Sequence, residues 1–161
     1  MTAATLAVII FAVFSKERVT AGVPIGETPP NVVLNDLTGK SVDIPTDLKG
    51  KVVFIHFWLS SCSYCIKEMF TLESFYRKHH SEGVIAFSIN AGEDKQSAVR
   101  YMAKLKISYP ILLDPDLSAT RRYGVSGVPT TYILDRNGVL RFKILGEITA
   151  DKLDKATKAL L

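Results

Sequence analysis

Cys62 and Cys65 are the two cysteines of the chain, and they form a C-x-x-C motif. A thiolate can attack a disulfide, and a second thiol within reach can then resolve the mixed disulfide, so such a pair can exchange two electrons with a partner. An apolar run over Lys51–Trp58 precedes the motif and predicts a buried strand. From Cys62 to about His80, apolar residues recur at helical spacing without proline or glycine, so the motif lies where a strand ends and a helix begins.

The position of Cys62 at the start of this predicted helix determines its chemistry. Unpaired backbone N–H groups and the positive end of the helix dipole stabilise a thiolate there. We therefore predict that Cys62 is the exposed nucleophile and that Cys65, nearly one turn further along, is the more shielded resolving thiol. A C-x-x-C motif at a strand–helix junction indicates redox chemistry, whereas the same spacing alone does not.

A metal site at these cysteines would need two further ligands, for which the nearby candidates are His79 and His80. If one helix runs from Cys65 to His79, its rise separates the two residues by about 21 Å, which is too far to share an ion. A purely structural disulfide closing so small a loop would add little stability. We therefore expect a redox pair and no metal.

Strand-like and helix-like segments alternate over the rest of the chain. Its 161 residues, 47% of them hydrophobic, suffice for one domain with a buried core. Strands are predicted as two short runs within 31–44 and at 84–90, 130–135 and 139–145, and helices at 94–106 and 149–161. This order predicts an α/β fold whose mixed central sheet has a parallel core and an antiparallel edge.

The N-terminal segment differs from the domain in composition. Thr2–Phe14 is uncharged and mostly apolar, and as a helix it would rise only about 20 Å, short of the ~30 Å hydrocarbon core. Its length suits the apolar region of a secretory signal, although no Lys or Arg precedes it. We predict a signal-like or anchor-like segment over 1–21, a linker over 22–30 and the domain over 31–161. The protein is expected to be exported to the periplasm or the outer face of the cytoplasmic membrane, anchored or cleaved.

The formal net charge of +4 is scattered along the chain rather than gathered into one stripe. Phosphate affinity needs several aligned cations, so we expect no nucleic-acid partner. We also expect a monomer without a cofactor.

Val128 and Pro129 precede the strand predicted from Thr130. Proline cannot donate to a sheet ladder, so it is out of place there unless it adopts a special geometry. A cis peptide bond is one such geometry, which would leave a backbone edge free to pair with a substrate strand. A trans turn is the other, and the residues alone favour it, since only about 5–6% of X–Pro bonds are cis.

Over about residues 27–158 the chain resembles the thioredoxin superfamily, and within it the exported TlpA/ResA/DsbE-like thiol–disulfide oxidoreductases. The matching motifs follow in order: Asp36 with Gly39-Lys40, Val52–Trp58 with the C-x-x-C motif, Leu113–Asp116, Tyr123–Val125, Gly127–Thr131 and Asp135–Gly138. The resemblance implies a thioredoxin fold with an extra N-terminal β-hairpin.

The resemblance also implies roles for residues around the cysteines. Pro129 is expected to be cis, to pack beside the cysteines and to contact substrate. We also predict that Trp58, Tyr64 and Val128 contact substrate. Glu93 is expected to turn into the site, where it tunes the cysteine pKa values or transfers protons. The residues alone would make Glu93 an exposed acid at the start of the next helix.

This chain departs from the family pattern at several positions. Ser61 stands where the family commonly has Trp, and Tyr64 and Phe70 stand where prolines are common. His56 occupies the buried strand position that holds Asp in cytoplasmic thioredoxins. It is either a proton relay or a hydrogen-bonded core histidine, and its apolar neighbours favour the second interpretation.

The resemblance predicts an oxidoreductase that reduces protein disulfides, as in the maturation of apocytochrome c, and that a membrane thiol donor recharges. One alternative is a peroxiredoxin-like peroxidase, but Trp58 and Leu59 do not match the P-x-x-x-T-x-x-C pattern of those enzymes. The other is a copper chaperone, but those proteins usually space their cysteines C-x-x-x-C and place the His well downstream, whereas no His follows His80 here.

Overall fold

A mixed sheet of seven strands forms the centre of the protein in the computed structural model, which describes residues 22–161. The strands are β1 (Val32–Asp36), β2 (Ser41–Ile44), β3 (Val52–Trp58), β4 (Val84–Ala91), β5 (Ile111–Asp114), β6 (Thr130–Leu134) and β7 (Leu140–Leu145). The helices are α1 (Ser63–His79), α2 (Lys95–Met102), α3 (Ser118–Arg122) and α4 (Ala150–Lys158), and short 3-10 turns lie at Thr46–Leu48 and His80–Glu82.

The strands are arranged in the order β2-β1-β5-β4-β3-β6-β7. The pairs β3–β4 and β4–β5 are parallel, whereas β1–β2, β1–β5, β3–β6 and β6–β7 are antiparallel. The predicted α/β class, the mixed sheet with a parallel core and the N-terminal hairpin β1–β2 are therefore confirmed.

The central strand β3 is buried along its whole length because both of its faces are covered. Side chains alternate between the two faces of a strand. Val52, Phe54 and Trp58 belong to the core that α1 and α4 cover. Val53, Ile55 and Phe57 face the β1–β2 hairpin and α3. Burial on both faces explains why β3 reads as a nearly continuous apolar run.

Two short elements, β5 and α3, did not emerge from the sequence pattern. They contain four and five residues, too few to show a hydrophobic period. The helix predicted over 94–106 ends earlier, at Met102. Its last turn tightens, because the N–H groups of Lys104 and Leu105 donate to the carbonyls of Tyr101 and Met102, three residues back.

The segment predicted as a linker, residues 22–30, contains no helix or strand but is hydrogen-bonded to the domain. The N–H of Gly26 donates to the carbonyl of Leu140 at 2.8 Å, and the N–H of Leu140 donates to the carbonyl of Glu27 at 2.9 Å. The segment is therefore held against the start of β7 rather than extending freely from the domain.

The signal-like or anchor-like segment predicted over 1–21 lies outside the described residues. From residue 22 onward, no helix is both long enough and apolar enough to cross a bilayer.

Candidate active site

Three chain segments meet at one edge of the sheet, where β3 and β4 end and β6 begins. The parallel register pairs Trp58 with Asn90, and the antiparallel register pairs Thr130 with the residue before Trp58. The loops that continue from these positions carry the C-x-x-C motif, Glu93 and Pro129. The sheet thus brings to one edge the residues that the sequence predicts to form the site.

Cys62 and Cys65 form a disulfide, with their Cα atoms 5.3 Å apart. Cys62 caps the N-terminus of α1, and its Sγ accepts a hydrogen bond from the backbone N–H of Cys65 at 3.1 Å. In the reduced protein the same N–H group and the helix dipole stabilise a thiolate at Cys62. Cys62 is half-buried and Cys65 is fully buried. The redox pair therefore has one open and one shielded sulfur.

The loop before β6 lies beside this disulfide. Its Val128–Pro129 peptide bond is cis. Val128 and Cys62 both pack against the core cluster that contains Cys65. The carbonyl of Pro129 accepts a hydrogen bond from the N–H of Gly146 at 3.0 Å, which ties the loop to the end of β7. Val128 and Pro129 are each half-buried, so part of their surface remains open at this edge.

The other two predicted substrate contacts, Tyr64 and Trp58, differ in exposure. Tyr64, in the first turn of α1, is 70% exposed. Trp58 is fully buried below that helix, with its ring centroid 6.1 Å from that of Tyr101. The prediction that Trp58 contacts substrate is corrected by this burial, since a side chain without accessible surface offers nothing for a substrate to touch.

Glu93 lies against the loop that precedes Cys62. Its carboxylate accepts hydrogen bonds from the Ser60 N–H at 2.9 Å, the Ser60 hydroxyl at 2.5 Å and the Asn90 amide at 2.5 Å. Burial raises the pKa of Glu93, but these hydrogen bonds stabilise the charged form and the net pKa lies below its usual value. Glu93 turns inward, as the resemblance implied, and it is not the exposed acid that the residues alone indicated.

A second carboxyl group lies in the core below the first turns of α1, next to a buried histidine. Glu68 is 2% exposed and His56 is fully buried. His56 Nδ1 lies 3.2 Å from Thr131 Oγ1 and 3.7 Å from Glu68 Oε2, and Glu68 Oε1 accepts the Ile148 N–H at 3.1 Å. Burial raises the pKa of Glu68 to about 7 and lowers the pKa of His56 to about 4, since it penalises each charged form.

Glu68 was missed by the sequence analysis, although a signal for it exists. Cys65, Met69 and Leu72 lie on the buried face of α1. Glu68 follows Cys65 by three residues, and residues at this spacing share a helix face. A carboxylic acid on the buried face of a helix is unusual enough to indicate a special role. Within residues 22–161, no group of three or more His, Cys, Asp and Glu side chains is placed to hold a metal ion.

Comparisons with known proteins agree with this site. The sequence model of the family described as Redoxin matches residues 24–160. The thiol-disulfide oxidoreductase ResA of Geobacillus thermodenitrificans (strain NG80-2) is 31% identical over 157 residues, which cover 98% of this chain and 88% of the relative. ResA of Bacillus subtilis (strain 168) is 35% identical over 124 residues, covering 77% of this chain and 69% of the relative.

Solved structures give the same result for the fold. The crystal structure of StoA from Bacillus subtilis superposes with a TM-score of 0.70 at 28% identity, covering 80% of this chain and 97% of StoA. A Chlorobium tepidum crystal structure described as thiol:disulfide interchange protein DsbE superposes with a TM-score of 0.78 at 27% identity, covering 86% of this chain and 97% of that one. The predicted thioredoxin fold and the resemblance to ResA-like and DsbE-like proteins are confirmed.

Proposed function

This chain is a thiol–disulfide oxidoreductase that belongs to the Redoxin family, and we propose that it reduces disulfides of substrate proteins outside the cytoplasm. The observation that carries the proposal is the asymmetry of the cysteine pair. Cys62 Sγ caps α1, accepts the Cys65 N–H and is partly open, while Cys65 is fully buried. A thiolate stabilised and accessible at Cys62 is suited to attack a partner, and Cys65 is suited to resolve the product.

The reaction then proceeds in two exchange steps. The Cys62 thiolate attacks one sulfur of a substrate disulfide, and the other substrate sulfur leaves as a thiolate that takes a proton from solvent. Cys65 loses its proton and attacks Cys62 Sγ. The Cys62–Cys65 bond forms, the mixed disulfide breaks, and the second substrate thiolate departs. Two electrons pass to the substrate, and the oxidised pair is the disulfide seen in the structure.

The surface around Cys62 suits an extended polypeptide. Val128 and Pro129 are half-buried, and Tyr64, two residues after Cys62, is exposed. In this proposal these three residues contact the substrate chain next to its disulfide. Leu145, which pairs with Thr130 and is 65% exposed, extends the same edge with an apolar side chain.

Glu93 is assigned a tuning role at Cys62 in this proposal. Its carboxylate holds Ser60 by the N–H and the hydroxyl, two residues before Cys62. The ionised group thus orders the loop that presents Cys62. Its negative charge also opposes the thiolate, because like charges raise the pKa of a nearby acid.

Export and the identity of the partners complete the proposal. The uncharged segment Thr2–Phe14 and the resemblance to exported oxidoreductases support a location in the periplasm or on the outer face of the cytoplasmic membrane. Resemblance also supports a reductive role, with apocytochrome c as the substrate and a membrane thiol protein as the electron donor.

Replacing the cysteines one at a time tests the exchange chemistry. We expect Cys62→Ser to abolish disulfide reduction, and Cys65→Ser to accumulate a mixed disulfide at Cys62, because the resolving thiol is missing. Non-reducing electrophoresis and mass spectrometry detect the trapped species. Ser61→Ala, which changes an exposed neighbour of Cys62, is the control that keeps activity. Normal turnover in either cysteine variant contradicts the assignment.

The direction of electron flow is tested by the reduction potential of the Cys62–Cys65 pair. A reductant should equilibrate with glutathione at a potential near or below about −230 mV, towards the thioredoxin value of about −270 mV. A potential near about −120 mV, typical of a strong oxidant, would reverse the proposed flux while leaving the exchange chemistry intact.

A further inference from the structure

Leu117 has an unusual backbone conformation for a residue with a large side chain. It lies in the loop between β5 and α3, with a φ of 60° and a ψ of 22°, in the left-handed region. Within residues 22–161, every other residue with a positive φ is a glycine. The left-handed conformation is unfavourable for leucine because its Cβ approaches the following carbonyl oxygen. Such conformations persist where surrounding contacts impose them, and they cluster near functional sites.

Hydrogen bonds to Asp114 hold the turn that carries Leu117. The Asp114 carbonyl accepts the N–H of Leu117 at 3.1 Å. The side chain of Asp114, a residue without exposed surface, accepts the N–H groups of Ala119 at 3.0 Å and Thr120 at 2.8 Å, together with the hydroxyls of Ser118 and Thr120. One fully buried residue therefore ties down both Leu117 and the first turn of the helix that follows it.

The Leu117 side chain packs against Gly92, in the loop between β4 and α2. A Cβ placed on Gly92 would lie 2.9 Å from Cδ2 of Leu117 and 3.3 Å from its Cγ. Gly92 has a φ of +77°, and its N–H donates to the same Asp114 carbonyl at 2.9 Å. Only glycine fits this backbone conformation and this contact without displacement. One shared acceptor and one close apolar contact thus join the two loops.

Glu93 follows Gly92 directly, so the contact with Leu117 lies next to the residue that is assigned the tuning role. The Glu93 carboxylate accepts the N–H and the hydroxyl of Ser60, two residues before Cys62. A continuous chain of contacts therefore runs from Leu117 through Gly92 and Glu93 to the loop that presents Cys62.

We propose that Leu117 is a positioning residue for Glu93 and that it sets the reactivity of Cys62 through Gly92. The inference rests on the tuning role that the proposed function assigns to Glu93. The strained turn places the Leu117 side chain against Gly92, which keeps the following carboxylate on Ser60. When this contact is lost, the carboxylate gains freedom to leave the loop. A larger fraction of Cys62 is then ionised at a given pH, because a like charge opposes the thiolate less strongly.

The pH profile of Cys62 alkylation by iodoacetamide in the reduced protein measures this effect. At about pH 6, Glu93→Gln should raise the thiolate fraction of Cys62 by about fivefold or more, within the range of charge effects on nearby acids. Leu117→Gly, which removes the side chain and suits the left-handed backbone, should raise it by about threefold. In the Glu93→Gln background, Leu117→Gly should change it by less than about 1.5-fold, because both substitutions act through one carboxylate.

Two glycine substitutions separate the contact from backbone strain. Gly92→Ala introduces a Cβ that collides with Leu117, and it should raise the thiolate fraction of Cys62 by about threefold as well. Gly39→Ala is the matched control in the turn between β1 and β2, where φ is +95° and a Cβ would meet nothing within 4 Å. It should stay within about 1.5-fold of wild type. Equal shifts in the two alanine variants would overturn the inference, since strain alone would then explain them.

The remaining outcomes distinguish the inference from the proposed function. If Glu93→Gln shifts the Cys62 profile and Leu117→Gly does not, or if Leu117→Gly shifts it equally with and without Glu93, the positioning role of Leu117 is wrong while the tuning role of Glu93 stands. An unchanged profile in Glu93→Gln would instead overturn the tuning role within the proposed function. Urea unfolding of each variant shows whether the protein remains folded under the conditions of the assay.

Discussion

The two carboxyl groups near the cysteine pair, Glu93 and Glu68, have opposite environments. Glu93 is half-buried and accepts three hydrogen bonds, so its net pKa lies below the usual value. Glu68 is almost fully buried and accepts one, so its pKa rises to about 7. The number of donors aimed at a carboxylate, set against its loss of hydration, decides whether the group stays charged at neutral pH.

This difference assigns the two groups to different tasks. A carboxylate that stays charged over the working pH range, as Glu93 does, can order a loop and supply a fixed negative charge. A carboxyl group with a pKa near neutrality, as in Glu68, can accept or release a proton during the reaction. The following variants test that contrast, beginning with the largest expected effect.

The pH dependence of the unfolding free energy should distinguish the buried pair, Glu68 and His56, from Glu93 most clearly. The raised pKa of Glu68 means that the folded state binds more protons between about pH 4.5 and 7, so this group's contribution to stability falls as pH rises through that window. The depressed pKa of His56 does the opposite between about pH 4 and 6.5, where its contribution is lost as pH falls. In the wild-type protein, the pH-dependent contributions of Glu68 and His56 to the unfolding free energy offset each other over most of this range.

Replacing one residue of the pair should reveal the pH-dependent contribution of the other to stability. The unfolding free energy of Glu68→Gln, relative to wild type, should increase by up to about 3 kcal/mol from pH 4.5 to 7, and that of His56→Asn should decrease by a similar amount from about pH 4 to 6.5. Urea unfolding at a series of pH values measures both differences. Parallel curves for the variants and the wild type would show that the pair does not titrate in this range.

Glu93→Gln should have a smaller effect with a different pH dependence. An amide has one accepting oxygen, which can take the Ser60 N–H and the Asn90 amide, but it loses the second accepting oxygen that takes the Ser60 hydroxyl and the charge that strengthens all three bonds. We therefore expect a loss of about 1–2 kcal/mol at neutral pH. The lowered pKa of Glu93 gives stability that is present above its ordinary pKa of 4.5 and lost as pH falls through the folded-state pKa. The difference from wild type should therefore be constant from pH 6 to 8 and shrink in acid. A difference that varies between pH 6 and 8 would contradict the comparison.

Much of the fold could be predicted because its central elements carry strong patterns. β3 is a nearly continuous apolar run, and apolar residues recur at helical spacing through the 17 residues of α1. The junction between the two elements, and the C-x-x-C motif at that junction, were therefore predicted correctly. The elements β5 and α3 are too short to show a period, and α2 ends in a tightened turn that hydrophobic spacing does not signal.

The site was less predictable than the fold, since burial and hydrogen bonding depend on distant parts of the chain. Trp58 is buried by helices that pack over β3, and no local pattern distinguishes this from a partly open position. Glu68 gains its environment from His56 on β3 and Ile148 beyond β7, which lies 80 residues away in sequence. The inward turn of Glu93 depends on Ser60, and only the resemblance to relatives indicated it.

Alkylation of the reduced protein tests the central claim most directly. The account predicts that iodoacetamide modifies Cys62 well before Cys65, with an apparent pKa for Cys62 below the ordinary thiol value of about 8.5, because the helix N-terminus stabilises its thiolate. Peptide mapping by mass spectrometry over a series of pH values gives both rates. Equal modification of the two cysteines, or faster modification of Cys65, would contradict the assignment of Cys62 as the attacking sulfur.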